Sequence, residues 1–542
     1  MSSQLTLALA QLNLTVGAIE ANTQTMLAAL ADAESQGADL VLFPELAITG
    51  YPPEDLLLRD DLYLRQDAAL AQLAEASTNT ALIVGHPWRQ GGHCYNAASF
   101  YYQGRLLGRY FKQQLPNYGV FDEQRYFSAG EHACVVEFKG HQLGLLICED
   151  VWQAGPAATA KAAGAELLLS LNASPYHQGK AWIRKDLLAR RCRENGLPLV
   201  YLNLVGGQDE LIFDGRSKVF NAAGELTQSL VAFKPELALV QCELKSPLKS
   251  QIQPPLEPLA EVYQALVLAT RDYVNKNGFD GAVLGLSGGI DSALTLAIAV
   301  DALGKDKVQA VMMPFRYTAS ISVADAEEEA GLLGIEYDCV SIEPMFDAFM
   351  QQLTPLFAGQ EKSAGDTTEE NLQARARGML LMALSNKRRR LVLTTGNKSE
   401  VAVGYCTLYG DMVGGFAPLK DVPKTLVFEL SRYRNTLGYV IPQRVIDRPP
   451  SAELAPDQLD QDNLPPYDVL DAILEAYVEQ DKSLSDILAA GFDEADVRRV
   501  IKLVDINEYK RRQSAIGPRI TPRNFGKDRR YPVTSGFGKI NW

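Results

Sequence analysis

A two-domain α/β protein is the fold class this sequence predicts, and three observations predict it. The chain has 542 residues, more than one hydrophobic core usually organises. Short, continuous apolar runs alternate with amphipathic helical stretches, the pattern of buried sheets covered by helices. One proline-rich stretch between Leu244 and Leu259, LKSPLKSQIQPPLEPL, breaks that pattern and reads as a linker. The expected division is a first domain over 1–246, a linker over 247–258 and a second domain over 259–542.

Taken in order, the strands expected before the linker are TLALAQ (6–11), DLVLFPE (39–45), ALIVG (81–85), QLGLLICED (142–150), ELLLSLNAS (166–174) and LVYLNLVGG (199–207). Helical patterns over 23–38 and 183–196 lie between some of them. Polar residues just past such strand ends are the usual place for an active site in these folds. After the linker, a helix over 259–275 leads to the strand GAVLGL (281–286), a glycine loop and an apolar helix over 293–303. The strand VQAVMMP (308–314), a helix over 323–333 and the strand RLVLTT (390–395) follow in doubly wound style. Two polar stretches, 359–371 and 447–466, are long for plain connections and read as lids.

Composition narrows the chemistry. Lys+Arg 52 against Asp+Glu 66 gives a net charge of −14, which argues against a nucleic-acid coat because phosphate backbones demand a basic face. No apolar run approaches the ~18 residues of a membrane span, and the first residues lack a secretory signal pattern. Seven cysteines without a CxxC pair suit a reducing, cytoplasmic setting. All five histidines (86, 93, 132, 141 and 177) precede residue 180. Chemistry in the second domain therefore proceeds without imidazole.

The sharpest motif is SGGIDSA, Ser287 to Ala293, between a strand and a helix. Gly288 and Gly289 allow close approach of an anion to the backbone, and the helix that follows offers free N–H groups at its positive end. Ser287 and Ser292 add hydroxyl donors. Asp291 makes sense beside phosphates chiefly if Mg²⁺ lies between them. On the residues alone, a glycine-rich turn with an Asp near the helix N-cap is the competing reading. In the first domain Glu45 closes LVLFPE, Lys112 sits in YFKQQLPNYGVFDE and Cys148 ends the strand in LLICED. A thiolate attacks an amide carbon, a carboxylate shuttles protons and an ammonium stabilises the oxyanion, and none of this needs histidine. Singly, each of the three is equally a core or surface residue.

Resemblance sharpens both readings. SGGIDS resembles the pyrophosphate loop of the ATP pyrophosphatases, a family that includes NAD, GMP, asparagine and argininosuccinate synthetases. TTGNKSEVAVGYCTLYGDMVGGFAPLKDVPKT (394–425) and EENLQARARGMLLMALSN (369–386) resemble NAD synthetases in particular, as does the tail over 508–532. By that resemblance the ATP-binding residues are Ser287, Gly288, Gly289, Ile290, Asp291, Ser292, Ala293, Leu294 and Thr395. Asn371, Arg375, Arg377, Glu400 and Lys510 contact deamido-NAD⁺, and Asp291 and Glu400 hold Mg²⁺. The cationic cluster 387–390 reads as structural.

The first domain resembles the nitrilase, or carbon–nitrogen hydrolase, superfamily, in which a Glu-Lys-Cys triad occurs in this order. The resemblance makes Cys148 the nucleophile, Glu45 the general base and Lys112 the oxyanion partner, with Glu123 a further acidic residue of the site. Tyr118, Ser174 and Lys180 match glutamine-contacting positions of the glutaminase branch, although that branch often carries Arg where this chain has Lys180. The implied folds are an α-β-β-α sandwich followed by a doubly wound parallel sheet. Together the halves resemble the glutamine-dependent NAD⁺ synthetase family. Its reaction adenylates deamido-NAD⁺ with ATP, releases pyrophosphate and displaces AMP with ammonia drawn from L-glutamine. The resemblance also implies a homo-oligomer built through the synthetase domain. A GMP-synthetase-like enzyme would share the loop without TGNKSE, and an amidase with an inert nucleotide module would not release pyrophosphate.

Overall fold

Strict alternation of side chains builds the first unit. In the computed structural model, which describes residues 4–243, 246–247, 249–360, 366–450, 453–455, 460–462 and 464–537, the chain divides into compact units at Leu256/Glu257. The division falls inside the stretch that reads as linker. Unit 1 holds two main sheets. The first has the strand order Ser246–Pro247, Glu236–Glu243, Gln4–Gln11, Leu40–Leu42, Ala81–Gln90, His93–Tyr102, Arg105–Phe111. The second runs Leu226–Ser229, Lys218–Phe220, Leu199–Asn203, Leu167–Asn172, His141–Ile147, Val135–Phe138.

Successive side chains of a strand point to opposite faces. Leu5, Leu7 and Leu9 of one sheet accordingly pack in one core with Leu143, Leu145, Ile147, Leu169 and Leu171 of the other. The opposite faces are apolar too. Ala8, Ala10, Val41 and Phe43 pack with Met26 and Leu30 of the helix Ile19–Ser35. Leu146, Leu168 and Tyr201 pack with Leu188 and Cys192 of the helix Lys180–Asn195. Strands buried on both faces read as continuous apolar runs, and the result is the helix–sheet–sheet–helix sandwich that the resemblance implied.

In unit 2 four parallel strands run in the order Glu336–Cys339, Val308–Met312, Gly281–Gly285, Arg390–Val392. The chain moves outward in one direction from Gly281–Gly285 and then returns to add Arg390–Val392 on its other side. That reversal is a topological switch point, where the carboxyl ends of adjacent strands diverge and leave a crevice. The glycine loop and Thr394–Thr395 leave the two strands that border it.

Several element bounds differ from the expectation. The strand ahead of Cys148 ends at Ile147, leaving the cysteine one residue beyond it. The helix after the glycine loop begins at Ile290 rather than 293, and the next at Ser320 rather than 323. The strand from Arg390 stops at Val392, so Thr394 and Thr395 belong to the loop. The stretches 359–371 and 447–466 read as lids fall partly outside the described residues, at 361–365, 451–452, 456–459 and 463. Among the described residues, no helix is long and apolar enough to cross a membrane.

Candidate active sites

Unit 1 gathers Glu45, Lys112, Glu123 and Cys148. The Lys112 ammonium donates to Glu45 Oε1 at 2.7 Å and to Glu123 Oε1 at 2.8 Å, with the lysine and Glu45 side chains wholly removed from solvent. Asn96 Nδ2 also donates to Glu45 Oε1 at 2.8 Å, and the Ala173 N–H donates to Glu45 Oε2 at 2.9 Å, so both carboxylate oxygens are held. Tyr51 Oη donates to Glu123 Oε1 at 3.0 Å. Burial by itself pushes the Lys112 pKa down. The carboxylates of Glu123 and Glu45, with Cys148, outweigh it and hold the ammonium well above the usual lysine range. Burial lifts the Glu123 carboxyl to about 7, opposed by Lys112 and reinforced by Glu45.

Cys148 stands where the strand His141–Ile147 turns into the short helix Glu149–Trp152. Its backbone has φ 45° and ψ −97°, a conformation costly for a residue with a Cβ and characteristic of functional turns. Asp150 anchors this turn. It accepts the Ile147 N–H at 3.0 Å, the Gln113 and Gln114 N–H groups at 3.0 and 2.8 Å, and Tyr110 Oη at 2.8 Å. One carboxylate thereby joins the cysteine turn to the loop that follows Lys112. Burial, then the charge of Glu45, pushes the Cys148 thiol well above its ordinary pKa, so the resting form is the thiol.

The glutamine-contacting candidates divide. Ser174 is buried; its N–H donates to Asn203 Oδ1 at 2.9 Å, and Arg184, ion-paired with Asp214 at 3.0 Å, reaches its hydroxyl at 3.4 Å. Tyr118 is largely exposed, and its hydroxyl donates to Glu149 Oε2 at 3.0 Å. Lys180 opens the helix Lys180–Asn195 with its ammonium 5.6 Å from the Trp152 ring centroid. Sequence reasoning did not single out Glu149 or Asp150. The signal available was two acidic residues directly after a cysteine at a strand end.

In unit 2 a cavity of about 640 Å³ opens at the switch point. Ser287, Gly289, Ile290, Asp291, Ser292, Thr395, Arg377 and Glu400 line it. The loop is tied internally: Ser287 Oγ lies 3.0 Å from Ser292 Oγ and accepts the Gly289 N–H at 3.2 Å. Asp291 and Glu400 meet across the cavity through Asn397 and Lys424. Asn397 caps the helix Lys398–Val403 by accepting the Glu400 N–H, and its Nδ2 donates to Asp291 Oδ1 at 2.8 Å. The Lys424 ammonium bonds Asp291 Oδ2 and, at 3.1 Å, Glu400 Oε1. Burial first, and then Asp291, raises the Glu400 carboxyl to about 8 against the pull of Lys424.

Other candidates lie away from this cavity. Ala293 and Leu294 have no exposed surface and sit in the core side of their helix, so neither side chain lines it. The helix Thr368–Arg388 separates the three residues expected to share one ligand. Asn371 accepts from Thr407 Oγ1 at 2.7 Å and Arg375 donates to the Leu408 carbonyl at 3.2 Å, whereas Arg377 lines the cavity and donates to the Met313 carbonyl at 3.0 Å. The Lys510 ammonium donates to the Gly404 and Cys406 carbonyls at 2.7 and 2.9 Å. Arg388 and Arg390 pair with Glu336, and Arg389 lies 3.6 Å from Asp280. Lys424 was missed, although its position carries a signal. It is a buried cation in the first turn of the helix Lys424–Thr436, where the dipole opposes positive charge.

Comparison with known proteins covers both units. The carbon-nitrogen hydrolase family matches residues 6–246, and the NAD synthase family matches residues 262–514. A glutamine-dependent NAD(+) synthetase of Acinetobacter baylyi is 54% identical over 536 residues, 98% of each chain. That of Xanthomonas campestris pv. campestris is 50% identical over 544 residues, again 98% of each. Among solved structures, the glutamine-dependent NAD⁺ synthetase of Acinetobacter baumannii, in complex with ADP, is 51% identical with a TM-score of 0.80, over 98% of this chain and 99% of that one. The Cytophaga hutchinsonii enzyme is 25% identical with a TM-score of 0.85, over 99% of both chains. With an amide-hydrolysing fold and a nucleotide-binding fold matched along nearly its whole length, the chain belongs to the glutamine-dependent NAD⁺ synthetase family, whose members amidate deamido-NAD⁺ at the expense of ATP with ammonia from glutamine.

Proposed function

We propose that the two centres divide this reaction residue by residue. Cys148 Sγ attacks the side-chain amide carbon of glutamine as its proton passes to Glu45. Lys112 stabilises the oxyanion, and the proton returns to the departing nitrogen, so that NH₃ leaves a glutamyl thioester. Water, deprotonated by Glu45, then cleaves the thioester to glutamate and the free thiol. Tyr118, Ser174 and Lys180 hold the amino-acid end of glutamine, and Glu149, beside Tyr118, joins them. The observation that carries this half is the Lys112 ammonium locked between Glu45 and Glu123 beside the positive-φ turn of Cys148.

In unit 2 the nicotinate carboxylate of deamido-NAD⁺ attacks the α-phosphorus of ATP and expels pyrophosphate. Ammonia then attacks the acyl adenylate and AMP leaves. Ser287, Gly289 and Ser292 cradle the pyrophosphate at the start of their helix, with Thr395 opposite and Lys424 compensating charge. Asn371, Arg375 and Lys510 serve deamido-NAD⁺, while the cavity-lining position of Arg377 favours the nucleotide side. Asp291 and Glu400 fit Mg²⁺: both are hard oxygen donors facing the cavity, 17% and 18% exposed at the side chain. Among the described residues there is no cluster of three or more metal-ligating side chains. Mg²⁺ characteristically uses one or two carboxylates with substrate phosphates and water. When bound, the ion supplies charge neutralisation for the phosphates. Assembly into a homo-oligomer through unit 2 is part of this reading, supported by exposed apolar Leu356, Met379 and Met382. A cytoplasmic setting accords with seven cysteines that are all free thiols.

The test is Cys148→Ala assayed with two nitrogen sources. The expected result is a loss of glutamine-dependent NAD⁺ synthesis by ~10³ or more, with synthesis from ammonium salts retained. Equal loss from both sources sinks the two-centre division, and surviving use of glutamine removes Cys148 as nucleophile.

A further inference from the structure

The peptide between Gly288 and Gly289 is held at both ends. Its carbonyl oxygen, on Gly288, accepts from Arg448 Nη2 at 2.8 Å, and its N–H, on Gly289, donates to Ser287 Oγ at 3.2 Å. Rotating this peptide changes ψ of Gly288 and φ of Gly289, and neither residue has a Cβ to oppose the turn. Gly288 already has φ 76°. A Cβ there would meet the Ser322 carbonyl oxygen at 2.3 Å, so packing keeps the position a glycine and leaves the joint free to rotate. Hydrogen bonds, rather than sterics, therefore decide which way the peptide dipole points.

Arg448 is itself placed by other groups. Its Nη1 donates to Ser322 Oγ at 3.0 Å, and that hydroxyl donates to Glu453 Oε1 at 2.6 Å. Glu453 Oε2 accepts the Ala319 N–H at 3.3 Å, which ties the segment to the start of the helix Ser320–Leu333. Asp325, fully buried on that helix, lies 4.0 Å from Arg448 and pairs with Arg444. The guanidinium thus spans the loop and the neighbouring helix with two differently directed donors, a geometry that an ammonium does not reproduce.

We infer that Arg448 is a positioning residue that locks the Gly288–Gly289 peptide and keeps the loop's amide groups directed for pyrophosphate. The inference rests on the assignment of this loop to the ATP phosphates. An unengaged carbonyl oxygen beside bound phosphates repels them, whereas one already accepting from a guanidinium does so far less. The loop's competence then depends on a residue about 160 positions further along the chain.

The experiment compares Arg448→Lys, Arg448→Met, Ser322→Ala and Asp291→Ala in the full chain, with ammonium as nitrogen donor. Both Arg448 variants are expected to raise KM for ATP and to weaken competitive inhibition by inorganic pyrophosphate about tenfold, the size of one lost charge-assisted hydrogen bond. The kcat at saturating ATP should stay within about twofold, because the bond serves ground and transition states alike. Glutaminase activity, KM for deamido-NAD⁺ and the thermal midpoint stay as in the parent. Ser322→Ala, which removes one of the two anchors, shifts KM for ATP in the same direction by about threefold. Parent-like behaviour of Arg448→Lys would show that charge alone suffices and overturn the lock, as would an unchanged KM in Ser322→Ala. If Asp291→Ala leaves ATP-dependent synthesis intact, the loop assignment itself fails. If it abolishes synthesis while Arg448→Lys is silent, only the lock fails.

Discussion

The two centres use charge in opposite ways. In unit 1 a cation and two carboxylates are already paired and dry before any ligand arrives, with both Glu45 oxygens bonded. In unit 2 Asp291, Glu400 and Lys424 border an open cavity of about 640 Å³, and on the proposed reading phosphates and a dication would reorganise their pairing. The difference follows from the chemistry. In the proposed reading the protein itself supplies the reacting groups for amide cleavage, so rigidity serves it. Adenylation is done largely by ATP itself, and the chain supplies placement and countercharge.

Lys112→Met is the most severe way to break the comparison. It leaves Glu45 and Glu123 buried together without their cation, and removing one partner of such a buried pair costs about 3–5 kcal/mol. Chemical denaturation followed on unit 1 should register that loss, with glutaminase activity abolished. A variant of parental stability would mean that the centre is wetter than its geometry indicates. Lys424→Met should do far less to stability, because its partners already reach the cavity. ATP-dependent synthesis from either nitrogen source is expected to fall about 10²-fold, with glutaminase untouched. Loss of the glutaminase as well would make Lys424 a folding residue.

Titration sharpens the contrast further. The Glu123 carboxyl stands at about 7 in the folded chain, above the ordinary glutamate value of 4.5. Between those values the folded state holds the extra proton, so this group's contribution to stability declines as pH rises from about 4.5 to about 7. Glu123→Gln carries no such proton. Its unfolding free energy, measured between pH 5 and 8, should fall less steeply than that of the parent, and parallel curves would remove the assignment. The smallest effect belongs to the surface. Arg389, 75% exposed at the side chain, should change unfolding by no more than about 0.5 kcal/mol when replaced by alanine. A larger loss would place the cluster 387–390 in a functional contact.

What the chain reveals before folding depends on how each signal is written. Strands buried on both faces, such as Leu167–Asn172, appear as plain apolar runs and were legible. The antiparallel strands His93–Tyr102, Arg105–Phe111 and Glu236–Glu243 mix polar and apolar residues and were not read as strands. Candidate residues whose chemistry is local were recognisable: a cysteine at a strand end and a serine-glycine loop before a helix. Long-range partnerships were not. Nothing near Lys424 in sequence announces Asp291, 133 residues away. The i,i+4 spacing puts 371 and 375 on one helix face, but nothing in ENLQARAR shows that 377 is the one turned to the cavity. Ser174 was legible, but the buried Arg184–Asp214 pair that braces it was not: Arg184 follows it by 10 residues, whereas Asp214 lies a further 30 along the chain.

The turn at Cys148 has a consequence for the durability of the protein. The residue is buried, 4% exposed, and burial and the charge of Glu45 hold its sulfur as a thiol. Thiolates, not thiols, react readily with electrophiles and peroxide. In the nucleophile's role proposed for Cys148, a sulfur kept protonated until an amide is seated would be chemically quiet between turnovers. Alkylating agents and oxidants should therefore modify exposed Cys339 well before buried Cys148.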